Sequence, residues 1–403
     1  MRWENALAKD LLLRNVRPMG HASSDVLIRD GRIVEISDRI DADDTPIEDG
    51  AGAIALPGLI EGHNHLDKTL LGMAWKPHDA GPSLEDRITR ERDLREEYGL
   101  DPALQSERLL RQSLAFGTTH MRSHVDVDTQ IGLRHVEGVL ETREKFRDRM
   151  DLQLVAFPQS GLMARPGSVE LLDEALQMGC DVVGGIDPCS MDRDPRGHLD
   201  AVFGLAEKHG KPVDIHLHEE GALGAFSMEL IVERTLALGM QGRVVISHAF
   251  CLGMADRARV AGLVKQLADA QIHIATAAIV SRPNPDAREL SEAGVTLFCG
   301  NDGVRDTWTP FGNGDMLERA KMLALLNNFR TDADLQSALY ACSTAGAQAL
   351  GFEGYGLDVG CFGDLVLIDA ETVGHAVVEH MPRKLVLKRG RIVARAGAIV
   401  TGS

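Results

Sequence analysis

Eight short apolar runs rich in β-branched residues recur through the middle of this 403-residue chain and alternate with stretches that carry helix signals. From the second run onwards, successive runs begin 23 to 32 residues apart, the length of one strand followed by one helix. Eight such units predict an α/β fold with a closed (β/α)8 barrel of the TIM type, more readily than an open doubly wound sheet. The runs span residues 59–65, 120–127, 152–159, 182–188, 213–219, 244–250, 273–280 and 296–302.

The two ends of the chain have a different pattern, with short strand-like segments joined by tight turns. The pentapeptide Asp-Gly-Arg-Ile-Val near the N-terminus is echoed by Arg-Gly-Arg-Ile-Val near the other end. We therefore expect a small β-sandwich domain built from residues 1–57 and 356–403, around a barrel domain of residues 58–355. The strand-like segments are residues 11–16, 26–29, 32–36, 365–368 and 384–388.

Helix boundaries are visible between several of the runs. Asp101 is a candidate N-cap, Pro102 suits the first helical position, and Gly117 would end that helix. The first unit is unusually long, so residues 68–99 predict a loop and an extra helix over the barrel mouth. Further helices are expected over residues 169–178, 201–209, 315–327 and 332–351.

Charge and composition exclude several classes of function. The formal net charge of −17 argues against nucleic acid as a partner, since binding to polyanions needs clustered Lys and Arg. A membrane span is not expected because no apolar stretch reaches about 18 residues. The first residues lack the apolar core of a signal peptide, which predicts a cytoplasmic protein. The six cysteines are scattered, which indicates reduced thiols rather than disulfides or a thiolate zinc site.

Polar side chains stand at the ends of seven of the eight runs, where barrel enzymes carry their chemistry. His63 and His65 are two residues apart in a strand, so both side chains point to one side. Three imidazoles and one carboxylate would hold a single divalent ion and leave a position for water. The residues at the run ends are His63, His65, His124, Asp126, Asp128, Gln159, Asp187, His216, His218, Glu219, His248, Asn301 and Asp302.

The proposed metal ligands are two histidines of the first run, one of the fifth and the carboxylate of the eighth. His216 and His218 share a strand face, so their spacing does not decide which of them binds metal. Barrels of this kind can bridge a second ion with a carbamylated lysine from the fourth strand, but residues 181–188 contain no lysine. One ion, Zn²⁺ or Fe²⁺, is therefore expected. The set is His63, His65, His216 and Asp302.

These motifs resemble the amidohydrolase superfamily, specifically its cytosine deaminase-like branch, over nearly the whole chain. The sequence is also similar to N-isopropylammelide amidohydrolases around residues 308–316. The resemblance implies a barrel enzyme, often a homo-oligomer, that acts on a small heterocyclic molecule. The motifs that carry it are residues 63–68, 122–127, 155–161, 214–219, Ser247-His248 and Asn301-Asp302.

The resemblance also implies roles for individual residues. It favours His216 over His218 as the third imidazole ligand, because the family uses the first histidine of that strand. It matches Glu219 with a glutamate that moves protons, and His248 with a histidine beside the metal-bound water. Asp302 would accept a proton from that water in addition to binding the metal.

The expected substrate contacts come from the third and eighth strands. Gln159 matches a glutamine that reads an amide-like edge, and Phe157 is grouped with it. Trp308 matches an aromatic residue of the pocket wall. Gly303 stands where cytosine deaminases carry a second aspartate, which argues against cytosine itself. Positions with an open role are Lys68, Arg122, His124, His218 and Asp306.

The function implied is hydrolytic deamination of a nitrogen heterocycle, with ammonia released after metal-bound hydroxide attacks a ring carbon. The alternative is an amidohydrolase that releases an alkylamine from an N-substituted amino-triazine or opens a cyclic amide. A non-catalytic scaffold on the same fold would be expected to have lost metal ligands, and the sequence retains them.

Overall fold

A computed structural model describes residues 10–42, 44–79, 81 and 83–400. The strands are β1 (Leu11–Pro18), β2 (Ser24–Arg29), β3 (Arg32–Ser37), β4 (Ile47–Asp49), β5 (Ile54–Pro57), β6 (Leu59–Asn64), β7 (Thr118–Asp126), β8 (Asp151–Phe157), β9 (Val182–Ile186), β10 (Val213–Leu217), β11 (Val244–His248), β12 (His273–Thr276), β13 (Leu297–Cys299), β14 (Leu365–Ile368), β15 (Arg383–Lys388), β16 (Arg391–Arg395) and β17 (Ala398–Ile399). The helices are α1 (Leu84–Glu97), α2 (Pro102–Ala115), α3 (Arg134–Lys145), α4 (Ser168–Met178), α5 (Pro195–His209), α6 (Gly221–Ala237), α7 (Arg257–Asp269), α8 (Ala287–Glu292), α9 (Met316–Leu326), α10 (Asp332–Ala341), α11 (Thr344–Leu350) and α12 (Val373–Glu379).

The barrel prediction is confirmed. Strands β6 to β13 are parallel and neighbour one another in chain order. Asn64 forms a parallel bridge with Asp302, which brings the first and last strands together. Gly300 allows this approach, since a Cβ there would lie 2.3 Å from the carbonyl oxygen of His63. The bridge therefore places the ends of β6 and β13, with their polar residues, side by side.

The small domain contains strands from both ends of the chain, as predicted. Its nine-stranded sheet has the order β17-β16-β15-β14-β5-β1-β2-β3, with β4 beside β1. The register of β1 shifts between Leu13 and Val16: its first half pairs with β2 and β4, and its last two residues pair with β5. Side chains from both parts, including Val26 and Leu385, pack into one buried cluster. Burial of this apolar cluster holds the N- and C-terminal segments together.

The helix signals in the sequence predicted some helix boundaries correctly and missed others. Asp101 caps α2 by accepting hydrogen bonds from the N–H groups of Ala103 and Leu104, as predicted. The expectation of one helix over residues 332–351 is wrong, because α10 and α11 are separated at Ser343, whose hydroxyl instead bonds the carbonyl of Leu339. Helix α5 begins at Pro195, six residues before the predicted start, and α12 was not predicted.

Helix α1 is the extra helix expected after the first strand. It is joined to the end of β7 by Arg95, which bonds Asp126 and Asp128 at 2.6 Å each. This buried contact places α1 against the carboxyl ends of the barrel strands. Among the described residues, no helix has the length and apolar character needed to cross a membrane.

Candidate metal centre and active site

Four buried histidines and one aspartate meet at the carboxyl ends of β6, β10, β11 and β13. The ring centroids of His63 and His216 are 4.6 Å apart, and those of His216 and His248 are 5.1 Å apart. Asp302 Oδ1 lies 3.2 Å from His65 Nε2 and 3.7 Å from His63 Nε2. The structure thus brings together all four ligands expected from the sequence, with His248 beside them.

The polar atoms of this cluster fit a divalent cation. Nε2 of His63 and both ring nitrogens of His216 and His248 are buried without a hydrogen-bond partner, an unfavourable state for such atoms unless a ligand satisfies them. Ligand atoms lie within 4.8 Å of one another in the sets His63–His216–His248 and His63–His65–Asp302. Neutral imidazoles and a carboxylate suit Zn²⁺ or Fe²⁺.

The protonation states of the histidines and the aspartate also suit a divalent cation. Burial lowers the pKa of His216 and of His248 well below the ordinary value, so both rings are neutral and able to ligate. Burial opposes ionisation of Asp302, but the imidazoles of His63 and His65 beside it outweigh this and hold the pKa of that carboxyl well below its usual range. The centre therefore combines neutral rings with one negative charge.

Two residues of this centre have an unusual backbone conformation. His248 and Asp302 adopt positive φ angles of 71° and 60°, which non-glycine residues rarely do. His248 is the last residue of β11, and Asp302 lies three residues after the end of β13. Strained conformations of this kind are kept where they aim a functional side chain, which supports a functional role for both.

A chain of polar contacts orients His63. Ser247 Oγ donates to Asp214 Oδ1 at 2.7 Å, and Asp214 Oδ2 accepts from Arg122 at 2.9 Å. Because the Ser247 hydrogen is used on Asp214, its oxygen accepts from His63 Nδ1–H at 2.9 Å. This contact occupies Nδ1 and leaves Nε2 of His63 to face the cluster. Arg122, whose role the sequence left open, acts through Asp214 and Ser247.

His124 and His218, also open in the sequence, stand on either side of the ligands. The His124 ring lies 4.1 Å from that of His63, and neither of its nitrogens has a hydrogen-bond partner. His218 Nδ1 lies 2.7 Å from Asp187 Oδ2, and its ring stacks on His248 at 4.4 Å. Burial opposes protonation of His218, but Asp187 outweighs it and raises the pKa of the ring. These contacts occupy Nδ1 and one face of the ring, and the choice of His216 over His218 as a metal ligand stays a prediction.

A cavity of about 560 Å³ opens over the centre. Gln159, Gly303 and Trp308, expected to contact substrate, line it together with Lys68. Phe157 is instead fully buried and stacks on His216 with a centroid distance of 4.0 Å, so it supports the ring of His216. A larger cavity of about 730 Å³, between α8 and α10, contains none of these residues.

Glu219 is held away from the cavity in this conformation. Its Oε1 accepts from the N–H groups of Cys189 and Ser190 at 2.9 and 2.6 Å, and its Oε2 accepts from the Ser227 hydroxyl. It is not among the described residues that line the cavity. Its position after β10 was predictable, whereas the direction of its side chain depends on the loop after β9. Its proton-transfer role stays a prediction.

Asp306 takes the space beside Gly303. A Cβ at position 303 would lie 2.1 Å from Asp306 Oδ2, so a side chain there requires Asp306 to move. The other oxygen of Asp306 accepts from the N–H groups of Trp308 and Thr309 at 2.8 and 3.0 Å. Burial raises the pKa of Asp306 to about 7. Asp306 thus shapes the loop that carries Trp308 and, in this conformation, fills the space that a side chain at 303 would need.

Glu91 and Arg95 of α1 were missed in the sequence. Glu91 Oε2 accepts from Trp308 Nε1 and, at 3.3 Å, from Gln159 Nε2. The same carboxylate bonds Arg95 at 3.0 Å. The only available signal was the Glu–Arg pair at i, i+4 spacing, which is ordinarily a solvent-exposed feature of a charged helix.

Acidification is expected to destabilise the metal-free protein below about pH 6.5. Burial lowers the pKa of His65, His124, His216 and His248, whereas the unfolded chain takes up protons near 6.5. Stability is then lost as the pH falls, by about 1.4 kcal/mol per pH unit for each such histidine. Chemical denaturation of chelator-treated protein from pH 7.5 to 5 measures the slope. In the His248→Ala variant, the free energy of unfolding should depend less steeply on pH, by about 1.4 kcal/mol per pH unit, the contribution of one histidine. An unchanged slope would contradict the lowered pKa of His248.

Comparison with known proteins places these features in a wider group. The model of the amidohydrolase family matches residues 47–394. N-isopropylammelide isopropyl amidohydrolase of Pseudomonas sp. (strain ADP) is 32% identical over 400 residues, covering 97% of this chain and 98% of that protein.

Two solved structures are similar over almost their full length. N-isopropylammelide isopropylaminohydrolase from Burkholderia multivorans ATCC 17616 is 48% identical with a TM-score of 0.94, covering 97% of this chain and 100% of that one. 5-Methylcytosine deaminase from Klebsiella pneumoniae, liganded with 5-fluorocytosine, is 27% identical with a TM-score of 0.85, covering 95% and 97%.

Proposed function

Since this chain belongs to the amidohydrolase family and is a hydrolase of carbon–nitrogen bonds, we propose that it releases an alkylamine from an N-alkylated amino-triazine. The observation that carries the proposal is its similarity, along the whole of both chains, to the Burkholderia N-isopropylammelide isopropylaminohydrolase. Of the two reactions considered from the sequence, this similarity favours the release of an alkylamine over the release of ammonia.

The mouth of the cavity supports an alkylated substrate. Val280 and Phe311 belong to its wall and are 66% and 78% exposed. Ile279, Pro310 and Met322 add further apolar surface to the same wall. An isopropyl group that contacts these side chains would remove apolar surface from water, whereas an unsubstituted amino group would not.

The reaction replaces the alkylamino group with oxygen from water: a ring carbon–oxygen bond forms, the exocyclic carbon–nitrogen bond breaks, and the amine leaves with a proton. A divalent ion on His63, His65, His216 and Asp302, Zn²⁺ or Fe²⁺, would act as a Lewis acid and bring the pKa of water towards 7. Asp302, which follows β13 and lies beside His63 and His65, would accept the proton that the water loses. His248, neutral and without a hydrogen-bond partner, can orient the attacking water.

Two further groups would act on the ring and the leaving amine. Lys68 lines the cavity; burial opposes its charge, but Asp126 and Glu91 outweigh this and raise the pKa of the ammonium, so it can donate to a ring carbonyl. The proton that Asp302 takes from the water would pass on to the departing amine, and Glu219 would take part in this transfer only after releasing its hydrogen bonds to Cys189, Ser190 and Ser227.

A second candidate is the release of ammonia from an aminopyrimidine. The observation in its favour is the similarity to 5-methylcytosine deaminase over nearly the whole chain. Gln159 in the cavity wall can both donate to and accept from an amide-like ring edge, which pyrimidines and triazines share.

One assay separates these reactions. Metal-reconstituted protein is incubated with N-isopropylammelide, cytosine, 5-methylcytosine and a pterin, and isopropylamine and ammonia are quantified. We expect isopropylamine from the first compound, and none from an Asp302→Asn variant that serves as control. Ammonia from a pyrimidine without any isopropylamine would establish the second candidate instead. No amine from any of the four compounds would count against both.

A further inference from the structure

The carboxylate of Glu91 is the meeting point of three donors beside the cavity. Glu91 is only 2% exposed. Its Oε2 accepts from the indole N–H of Trp308 and from Gln159 Nε2 at 3.3 Å, and it lies 3.6 Å from Lys68 Nζ. All three donor side chains line the cavity, whereas Glu91 stands behind them.

The chemistry of a carboxylate decides how Gln159 faces the substrate. An ionised carboxylate can only accept hydrogen bonds, and the Gln carboxamide has a donor end and an acceptor end. The opposite orientation of Gln159 would place two oxygens against each other in a buried site, which is unfavourable. Glu91 therefore takes one N–H of Gln159 and leaves its carbonyl oxygen free.

Buried ion pairs hold the Glu91 side chain in place. Its Oε1 bonds Arg95 at 3.0 Å, and Arg95 bonds Asp126 and Asp128 at 2.6 Å each. Asp126 also lies 3.3 Å from Lys68 Nζ. Helix α1 is thereby attached to the end of β7, and Glu91 cannot turn away without breaking this buried network.

We propose that Glu91 is a positioning residue that turns the carbonyl oxygen of Gln159 towards the substrate, and so selects heterocycles with a ring N–H at that edge. The inference rests on the proposed function for its substrate, a triazine with an amide-like edge. The ring N–H would donate to Gln159, and the adjacent ring carbonyl would accept from Lys68. Trp308, held by the same carboxylate, would lie against the ring.

The first test compares Glu91→Gln, of unchanged size, with Glu85→Gln, an exposed position on the same helix. With N-isopropylammelide, Glu91→Gln should raise KM about tenfold, because a hydrogen bond to a charged group is replaced by a weaker one that no longer orients Gln159. The turnover number and the metal content should stay close to those of the wild type. Glu85→Gln should match the wild type in each measurement.

Combining Glu91→Gln with Gln159→Leu tests whether Glu91 acts through Gln159. If it does, Glu91→Gln raises KM less in the Gln159→Leu background than in the wild type, because only the contacts to Trp308 and Lys68 are then left to lose. Additive effects of the two changes, or an unchanged KM in Glu91→Gln, would overturn the inference.

A spectroscopic measurement keeps this inference separable from the proposed function. In nitrogen-15 spectra of the full chain, the Gln159 side-chain amide and the Trp308 indole N–H should both shift in Glu91→Gln and neither in Glu85→Gln. Resonances unchanged in both variants would overturn the positioning role even if the wild type releases isopropylamine. A wild type that releases none would overturn the proposed function, while these shifts would still decide the orientation of Gln159.

Discussion

Replacing His216 by alanine is expected to lower turnover by about 10³-fold or more and to remove the bound metal, while the protein stays folded. His216 contributes two unpartnered nitrogens at the centre of the cluster, 4.6 Å from the ring of His63 and 5.1 Å from that of His248. Metal ions supply several kcal/mol of transition-state stabilisation, and each 1.4 kcal/mol is worth a factor of ten. Metal content by elemental analysis and kcat on the amine-release assay measure the two effects.

The His216→Ala variant should stay folded. In the metal-free protein, both ring nitrogens of His216 are buried without a hydrogen-bond partner, and the substitution removes them. His21→Ala, at an exposed position in the small domain, is the matched control and should keep both metal and turnover. Stoichiometric metal in His216→Ala together with wild-type turnover would show that His216 is not a ligand, and His218 would then be the next residue to test.

Replacing Lys388 by methionine is expected to reduce the free energy of unfolding by about 3 to 5 kcal/mol, the cost of breaking a buried ion pair by removing one partner. Lys388 is fully buried at the end of β15 and bonds Asp151 at 2.7 Å and Asp364 at 2.8 Å. Its Nζ also lies 3.3 Å from His120 Nε2. Methionine would remove the buried cation between the two carboxylates and leave the guanidinium of Arg389, 3.4 Å from Asp151, beside them. Denaturant unfolding monitors the loss.

The buried network around Lys388 connects the barrel with the small domain. Asp151 begins β8 of the barrel, whereas Asp364 and Lys388 belong to the small domain, so the network joins the two sheets. The double change Lys388→Met with Asp364→Asn should recover part of the loss, because one uncompensated charge is removed. Lys265→Met, at a surface pair with Asp269, should change stability by less than about 1 kcal/mol. A similar small effect for Lys388 would show that the buried network contributes little.

The sequence was informative wherever local spacing carries the information. The distance between apolar runs predicted the barrel, because each strand and helix must cross the same height of the domain. The alternation of side chains along a strand predicted that His63 and His65 share a side, and the structure places both beside Asp302. Asp101 and Pro102 predicted the start of α2, since capping depends on the adjacent residues alone.

Spacing was not sufficient where a side chain has a choice of partners. Glu219 was expected to move protons, and the spacing gave no sign that the loop after β9 presents the N–H groups of Cys189 and Ser190 to its carboxylate. Phe157 was grouped with the substrate contacts, but it packs beneath His216. Rotamers and hydrogen bonds of this kind depend on atoms from distant parts of the chain, which periodicity does not describe.

By itself, the amino-acid sequence determined the barrel, the small domain made from both ends and the set of residues at the strand ends, because these follow from local periodicity and from the position of each residue along a strand. Only the tertiary structure decided what surrounds that set. It placed Glu91 of α1 behind Gln159 and Trp308, set Asp306 into the space next to Gly303, and aligned Arg122, Asp214 and Ser247 behind His63. The physical reason is that these contacts join elements far apart in the chain, where geometry and charge select the partner and spacing carries no signal.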